Sequence, residues 1–150
     1  MNRLSLPLLL TVLLSGAAPS AMAATPAPAC LPTVNDAWIR MPPANLPMMA
    51  GYARIVNRCD AAVAIVSADS AAFVDTSLHQ TRVEAGISRM RATPSLAIPA
   101  GGSVTLAPGG FHLMLMQPQV ALRAGQHVTI NFVLQDGRKF AAAFEVRAVR

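Results

Sequence analysis

The chain has 150 residues, which is enough for one domain with a sizeable hydrophobic core. Its 12 basic residues exceed its 7 acidic ones, giving a net charge of +5, but they form no basic run and aromatic residues make up only 5%. This composition argues against a nucleic-acid-binding platform. A basic exported protein is expected to meet acidic protein or membrane surfaces instead.

The N-terminus has the pattern of a secretory signal peptide covering residues 1–23. Arg3 precedes an apolar run over residues 4–14, and Ala21-Met22-Ala23 matches a small-x-small cleavage motif. The run is too short for a membrane span, and no later stretch reaches the roughly 20 apolar residues that a span requires. We therefore predict a monomeric periplasmic protein without a membrane span. Residues 24–34 would be a lead-in segment and residues 35–150 the single domain.

The two cysteines, Cys30 and Cys59, are too far apart in sequence for a C-x-x-C motif, which excludes thioredoxin-like chemistry. In an oxidising compartment they are expected to form a disulfide, which would close a loop of about 30 residues. Paired thiols cannot bind a metal ion.

The rest of the chain reads as short strands separated by turn residues. Residues 41–47 hold three prolines and are expected to form a loop, residues 69–76 are the only stretch that could form a helical turn, and Ala85-Gly86 is a predicted hairpin turn. Many short strands at close intervals favour an all-β fold, an antiparallel β-sandwich. The predicted strands are 34–40, 49–56, 62–67, 77–84, 88–93, 96–98, 103–106, one at His112, 127–134 and 138–146.

The hairpin at Ala85-Gly86 sets which side chains share a face. An even-length loop places Met90 opposite Thr81, so that Met90 and His79 become diagonal neighbours on one face, about 7–8 Å apart at the backbone. A loop of odd length would put them on opposite faces.

The other face of this hairpin would place Arg82 directly opposite Arg89, with Arg91 beside them. Like charges in this arrangement are mildly destabilising. Two interpretations stay open, a solvated face with splayed guanidinium groups and a docking patch for an acidic partner.

The turn Pro108-Gly109-Gly110 precedes a strand that alternates strictly. Leu113 and Leu115 share one face, whereas His112, Met114 and Met116 share the other. Methionines often fill cores and a strand histidine is often a hydrogen-bonded structural residue, so this stretch alone does not establish a metal site.

Two His-plus-Met pairs nevertheless form a distinctive set of soft, uncharged ligands, which favours Cu(I) over Zn, Mg or Ca. No Asp or Glu lies near either pair in sequence, so a hydrolytic metal centre has no candidate base. Neither cysteine is near the pairs, which argues against a blue-copper centre. We therefore do not expect an enzyme.

Ten residues lie between His79 and Met90, and twenty-one lie between Met90 and the motif His112-x-Met114. This spacing resembles the H-x10-M-x21-H-x-M pattern of the periplasmic copper chaperones called PCuAC. Further similar segments surround these residues, and the resemblance runs from about Asn35 nearly to Arg150. These segments are residues 37–40, 86–91, 98–102 and 108–110.

The resemblance implies a cupredoxin-like β-sandwich with Greek-key topology, in which His79, Met90, His112 and Met114 bind Cu(I). It also implies delivery of copper to the CuA centre of cytochrome c oxidase. The partner would be a copper-accepting oxidase subunit or an intermediary copper chaperone. The alternatives are a copper-buffering or resistance protein and a structural β-sandwich without metal.

Two departures from the family pattern lead us to expect one Cu(I) site and no second Cu(II) site. Ser88 lies where many members carry extra methionines, and residues 147–150 hold no His/Met-rich tail. Met116 shares the ligand face and is a secondary candidate, as are Met48 and Met49 beside the proline-rich loop. His127 has no methionine partner and is expected to be structural.

Overall fold

The computed structural model describes residues 30–43 and 46–148. The predicted signal peptide, residues 1–23, and residues 24–29 of the lead-in segment lie outside the described residues. Within these ranges the chain forms ten strands and no helix, and hence no helix long and apolar enough to cross a membrane. The strands are β1 (Thr33–Arg40), β2 (Met48–Val56), β3 (Val63–Asp69), β4 (Phe73–Glu84), β5 (Ile87–Ala92), β6 (Leu96–Ile98), β7 (Ser103–Leu106), β8 (Phe111–Pro118), β9 (His127–Leu134) and β10 (Lys139–Arg147).

The ten strands follow the order β5-β4-β8-β7-β2-β1-β10-β9-β3-β6, and β2 also pairs with β8. Two pairings, β1 with β10 and β7 with β8, are parallel, and the others are antiparallel. Residues 48–51 of β2 pair with β8, whereas residues 53–56 pair with β7. Buried side chains from both halves of the strand order, among them Leu78 of β4 and Ile65 of β3, belong to one core. The predicted all-β, β-sandwich fold is confirmed.

The predicted helical turn over residues 69–76 is wrong. β3 extends to Asp69 and β4 begins at Phe73, so only a tight turn separates them. The Ser70 hydroxyl donates to the carbonyl of Thr129 at 2.7 Å and accepts a hydrogen bond from the N–H of Ala72 at 3.3 Å. This local turn chemistry, together with burial of the Phe73 ring in the core, overrides a weak helix preference.

The predicted disulfide between Cys30 and Cys59 is present. It links the segment before β1 to the connection between β2 and β3, far in sequence but adjacent in the fold, with a sequence separation of 29 residues. Arg138 also donates a hydrogen bond to the carbonyl of Cys30. The N-terminal segment is therefore attached to the sandwich from Cys30 onward.

The turn at Ala85-Gly86 has positive φ at both central residues, +50° and +78°, as a two-residue type I′ hairpin requires. This turn gives the even-length pairing that the sequence predicted, with Thr81 opposite Met90 and Arg82 opposite Arg89. Directly opposed residues share a face, so Met90 lies on the same face of the hairpin as His79.

Candidate metal centre

The pairing of β4 with β8 brings the two His-plus-Met pairs together. His79 lies directly opposite His112, and Ser77 lies directly opposite Met114. Since directly opposed residues share a face, His79, Met90, His112 and Met114 all lie on one face of the adjacent strands β5, β4 and β8. The sequence predicted each pair separately, and the long-range strand pairing joins them.

The orientation of the His112 ring is set by the turn before β8. Its Nδ1 donates a hydrogen bond to the carbonyl of Gly110 at 3.0 Å, which leaves the lone pair of a neutral ring on Nε2. That Nε2 atom lies 3.1 Å from the Sδ atom of Met90, whose side chain reaches it across β4. Only 6% of His112 is exposed, whereas 51% of Met90 is exposed. One buried nitrogen and one accessible thioether therefore meet at the same point.

The His79 ring lies beside the His112 ring, with 6.1 Å between their centroids. Its Nε2 lies 3.2 Å from the Ser77 hydroxyl, which itself donates to the carboxylate of Asp75 at 3.0 Å. Because the Ser77 hydroxyl donates its proton to Asp75, its oxygen can only accept a hydrogen bond from His79. The Nε2 atom of His79 is therefore the donor, and the lone pair of the neutral ring lies on Nδ1. That Nδ1 atom is buried and has no hydrogen-bond partner among the described residues. A buried nitrogen without a partner is costly, and binding a metal ion would satisfy it.

Burial lowers the pKa of His79 from its ordinary value of 6.5, and the neighbouring His112 lowers it further, whereas Asp75 raises it. We therefore expect the His79 imidazole of the metal-free protein to titrate below pH 6.5. An Asp75→Asn substitution removes the opposing charge and should move the midpoint lower still. An NMR titration of the His79 ring measures both shifts, and a midpoint at or above 6.5 in the unsubstituted protein would contradict this electrostatic picture.

Three of the four candidate ligands border an open cleft of about 660 Å³, and His79 lies beside His112 without lining the cleft itself. His112, Met90 and Met114 line it on one side, and Met48, Tyr52 and Arg40 from β2 and β1 line it on the other. The cleft therefore connects the candidate ligands directly to solvent.

Sequence reasoning missed the aromatic and basic wall of this cleft. Tyr52 is 4% exposed and its ring lies 4.7 Å from that of Trp38, and the guanidinium of Arg40 lies 5.6 Å from the Tyr52 ring centroid. Burial raises the pKa of Tyr52 against a smaller opposing effect of Arg40, which keeps the phenol neutral. Alternation along β1 and β2 could have shown which face carries Arg40 and which carries Tyr52, but only the folded structure shows that both line the same cleft as His112.

The secondary candidate ligands lie in different parts of the fold. Met116 is directly opposite Met48, on the face that carries Met114. Met49 is opposite the core residue Leu115 and packs against the core, and it also lines the cleft. His127 begins β9 in the other half of the strand order, where it is exposed and opposite Glu145.

The positive charge on the arginine face of the hairpin is partly neutralised by neighbouring side chains. Glu84, which the sequence analysis did not consider, lies 3.5 Å from Arg89 and 3.6 Å from Arg91. The Nε atom of Arg82 donates to the Gln80 side chain at 2.9 Å. The three guanidinium groups thus have partners within the hairpin, and both interpretations of this face remain predictions.

The candidate centre depends on thioethers as much as on imidazoles. Within residues 30–43 and 46–148 there is no group of three His, Cys, Asp or Glu side chains that could hold a metal ion. The only convergent set described above is the mixed one, with two imidazoles and two thioethers.

Solved structures with similar folds are PCuAC domains. The copper-bound PCuAC domain from PmoF2 superposes with a TM-score of 0.65 at 21% sequence identity, covering 79% of this chain and 93% of that one. The CuI-DR1885 protein from Deinococcus radiodurans superposes with a TM-score of 0.62 at 30% identity, covering 76% of this chain and 78% of that one. The chain therefore has the fold of a PCuAC domain, as the sequence resemblance predicted.

The sequence comparisons also identify relatives of the PCuAC domains. A curated relative, "Putative lipoprotein Lxx21020" from Leifsonia xyli subsp. xyli, is 33% identical over 115 residues, which cover 76% of this chain and 68% of the relative. The family model described as "Putative lipoprotein LpqE-like" matches residues 32–146. The chain belongs to this LpqE-like family, which is related to the PCuAC domains.

Proposed function

We propose that this protein binds one Cu(I) ion through His79, Met90, His112 and Met114 and carries it as cargo. The observation that carries this proposal is the convergence of two imidazoles and two thioethers on one face of β5, β4 and β8. The Nε2 atom of His112 lies 3.1 Å from the Met90 sulfur, and the Nδ1 atom of His79 is buried without a partner. In the neutral tautomers that the ring hydrogen bonds favour, each of these nitrogens carries the lone pair that a metal ion would bind.

The chemistry of the donors supports copper in its reduced state. Thioethers are soft, neutral ligands that suit Cu(I), and hard cations such as Mg²⁺ and Ca²⁺ prefer oxygen. Both cysteines are held in the disulfide, so no thiolate is available for a blue-copper or zinc-thiolate site. The related DR1885 and PmoF2 structures are named as copper-bound, in the first case with Cu(I). We propose a carrier rather than an enzyme.

The exposure of the site supports delivery of the ion to another protein. Met90 is half-exposed at the outer edge of the sheet, and the exposed side chains of Leu46 and Met48 border the same cleft. An acceptor's ligands could therefore reach the ion before the donor's ligands leave. We propose that the acceptor is the CuA centre of cytochrome c oxidase, reached directly or through an intermediary copper chaperone.

The proposed location is the periplasm, reached through the signal peptide of residues 1–23, with the mature chain acting as a monomer. The disulfide supports an oxidising compartment, since such bonds are rare in the cytosol. The relative from Leifsonia xyli is named as a lipoprotein, which fits a location outside the cytoplasm.

The binding proposal is tested by anaerobic competition between the protein and a chromophoric Cu(I) chelator. We expect one tightly bound Cu(I) per chain. Met114→Leu should weaken binding by roughly 10-fold to 100-fold because it removes a ligand while keeping apolar volume. Met116→Leu is the matched control and should leave the affinity of this site unchanged. Unchanged affinity in Met114→Leu would contradict the assignment, and an equal loss in Met116→Leu would mean that the wrong thioether was chosen.

Delivery is tested separately, by mixing the Cu(I)-loaded protein with a copper-free CuA domain and following copper in each protein after separation. Transfer to the CuA domain, or transfer only when an intermediary chaperone is added, supports the proposed role. Retention of copper by this protein under both conditions would instead indicate buffering.

A further inference from the structure

We propose that Met48 and Met116, together with Met114, form a second and weaker Cu(I) position at the outer side of the cleft. This outer position would share the Met114 thioether with the inner site and would serve as its exchange point with solvent or a partner. The inference rests on the proposed function, because it takes the inner site to be the copper site.

The strand register carries the geometry of this outer position. Met48 of β2 lies directly opposite Met116 of β8, and Ala50 lies directly opposite Met114. Directly opposed residues have Cβ atoms about 4.5–5.5 Å apart, so two methionine side chains can reach one ion. Met114 is two residues before Met116 on the same face, roughly 7 Å away along the strand. Three thioethers thus occupy adjacent positions on one face.

Solvent access to Met48 and the room beside Met114 also favour the outer position. Met48 is 41% exposed and lines the cleft together with Met114, so an ion can reach its sulfur from solvent. Ala50, the residue opposite Met114, carries only a methyl group and leaves room over β2 beside the Met114 side chain. Met116 does not line the cleft itself; it is half-buried next to Met48, with Asp75 as its partner on β4.

The donor chemistry distinguishes the outer position from the inner site. It offers thioethers without imidazoles, a set that selects soft monovalent ions and binds more weakly. The neighbouring carboxylate of Asp75 already accepts a hydrogen bond from Ser77, and its oxygens are hard ligands that Cu(I) does not prefer.

Transfer between the two positions requires no redox partner. The Cu(I)–Met114 bond is kept while bonds to Met116 and Met48 form and bonds to the imidazoles and Met90 break. All of these ligands are neutral and the ion remains Cu(I), so no electron or proton is exchanged. The ion can therefore move towards the rim without being released free into solvent.

The test is a titration of the full chain with Ag(I), a soft monovalent probe, followed by NMR of methionine methyl groups labelled with ¹³C and of the histidine rings. The first equivalent should shift the signals of His79, His112, Met90 and Met114. Further Ag(I) should shift the methyl signals of Met48 and Met116 together and then saturate.

Three variants make the titration decisive. Met48→Leu and Met116→Leu should each abolish the second phase while keeping the first, whereas Met41→Leu, at a methionine that packs against the core and does not line the cleft, should keep both. A first phase without any second phase in the unsubstituted protein would overturn the outer position alone. Absence of the first-phase shifts would overturn the proposed function, and a second phase that survives in Met48→Leu and Met116→Leu would assign the weak binding elsewhere.

Discussion

His112→Ala should weaken Cu(I) binding by more than about 100-fold, since it removes a ligand, and even loss of residues that only orient ligands costs 10-fold to 100-fold in affinity. His112 is the most buried of the four proposed ligands, and its ring is oriented by the Gly110 carbonyl. No other described imidazole lies near enough to replace it except His79, which is already a ligand in our account. Competition with a Cu(I) chelator measures the loss.

The matched control for this substitution is His127→Ala, which removes an exposed imidazole at the start of β9, away from the cleft. It should bind Cu(I) with unchanged affinity. The alanine removes a buried ring and its hydrogen bond to the Gly110 carbonyl, which keeps its hydrogen bond from the Thr81 N–H, so the His112 variant should also lose about 0.5–3 kcal/mol of stability. Circular dichroism and thermal unfolding verify that it is still folded during the titration. Equal affinities of a folded His112→Ala protein and the unsubstituted protein would contradict the site.

Removing the disulfide with the Cys30→Ala/Cys59→Ala pair should lower the free energy of unfolding by about 3–4 kcal/mol. In the chain-entropy model, a cross-link that closes a loop of about 30 residues lowers the conformational entropy of the unfolded chain, and this loss corresponds to that free energy. For a domain of this size the loss corresponds to a fall in Tm of roughly 10–15 °C. Denaturant and thermal unfolding of the two proteins measure it.

The same double variant tests whether the cysteines take part in metal binding. Neither lines the cleft, so the affinity for Cu(I) should not change in the folded variant. A weakened affinity at a temperature where the variant is folded would show that the cysteines support the site. A stability loss below about 1 kcal/mol would show that contacts near Cys59 hold the N-terminal segment without the cross-link.

Local turn chemistry explains which parts of the fold could be predicted from the sequence. The strands 96–98, 103–106 and 127–134 were predicted with the bounds that the structure has. The pairing across Ala85-Gly86 was predictable because a two-residue loop fixes the register of the strands it joins. The face shared by His112 and Met114 was predictable because side chains alternate along a strand.

Long-range pairing explains what could not be predicted. His79 and His112 are directly opposed because β4 pairs with β8, and 32 residues separate them in sequence, too many for any turn to set the register. That register is decided by burial of Leu78 and Leu113 in the core. The wall of the cleft formed by Tyr52 and Arg40 depends on pairings of the same kind.

The candidate site combines rigidity with access. Three adjacent strands hold its side chains, and hydrogen bonds donated by the rings to the Gly110 carbonyl and the Ser77 hydroxyl orient them. The buried His112 and half-buried His79 imidazoles would supply affinity, and the half-exposed Met90 would supply a ligand that a partner can displace. A centre that must release its ion needs both properties.

X-ray absorption at the copper edge of the protein loaded with one equivalent of Cu(I) tests the central claim most directly. The account predicts a spectrum of Cu(I) with two nitrogen ligands and two sulfur ligands, and one sulfur fewer after Met90→Leu. A coordination shell of nitrogen and oxygen alone, or one that is unchanged by Met90→Leu, would contradict it.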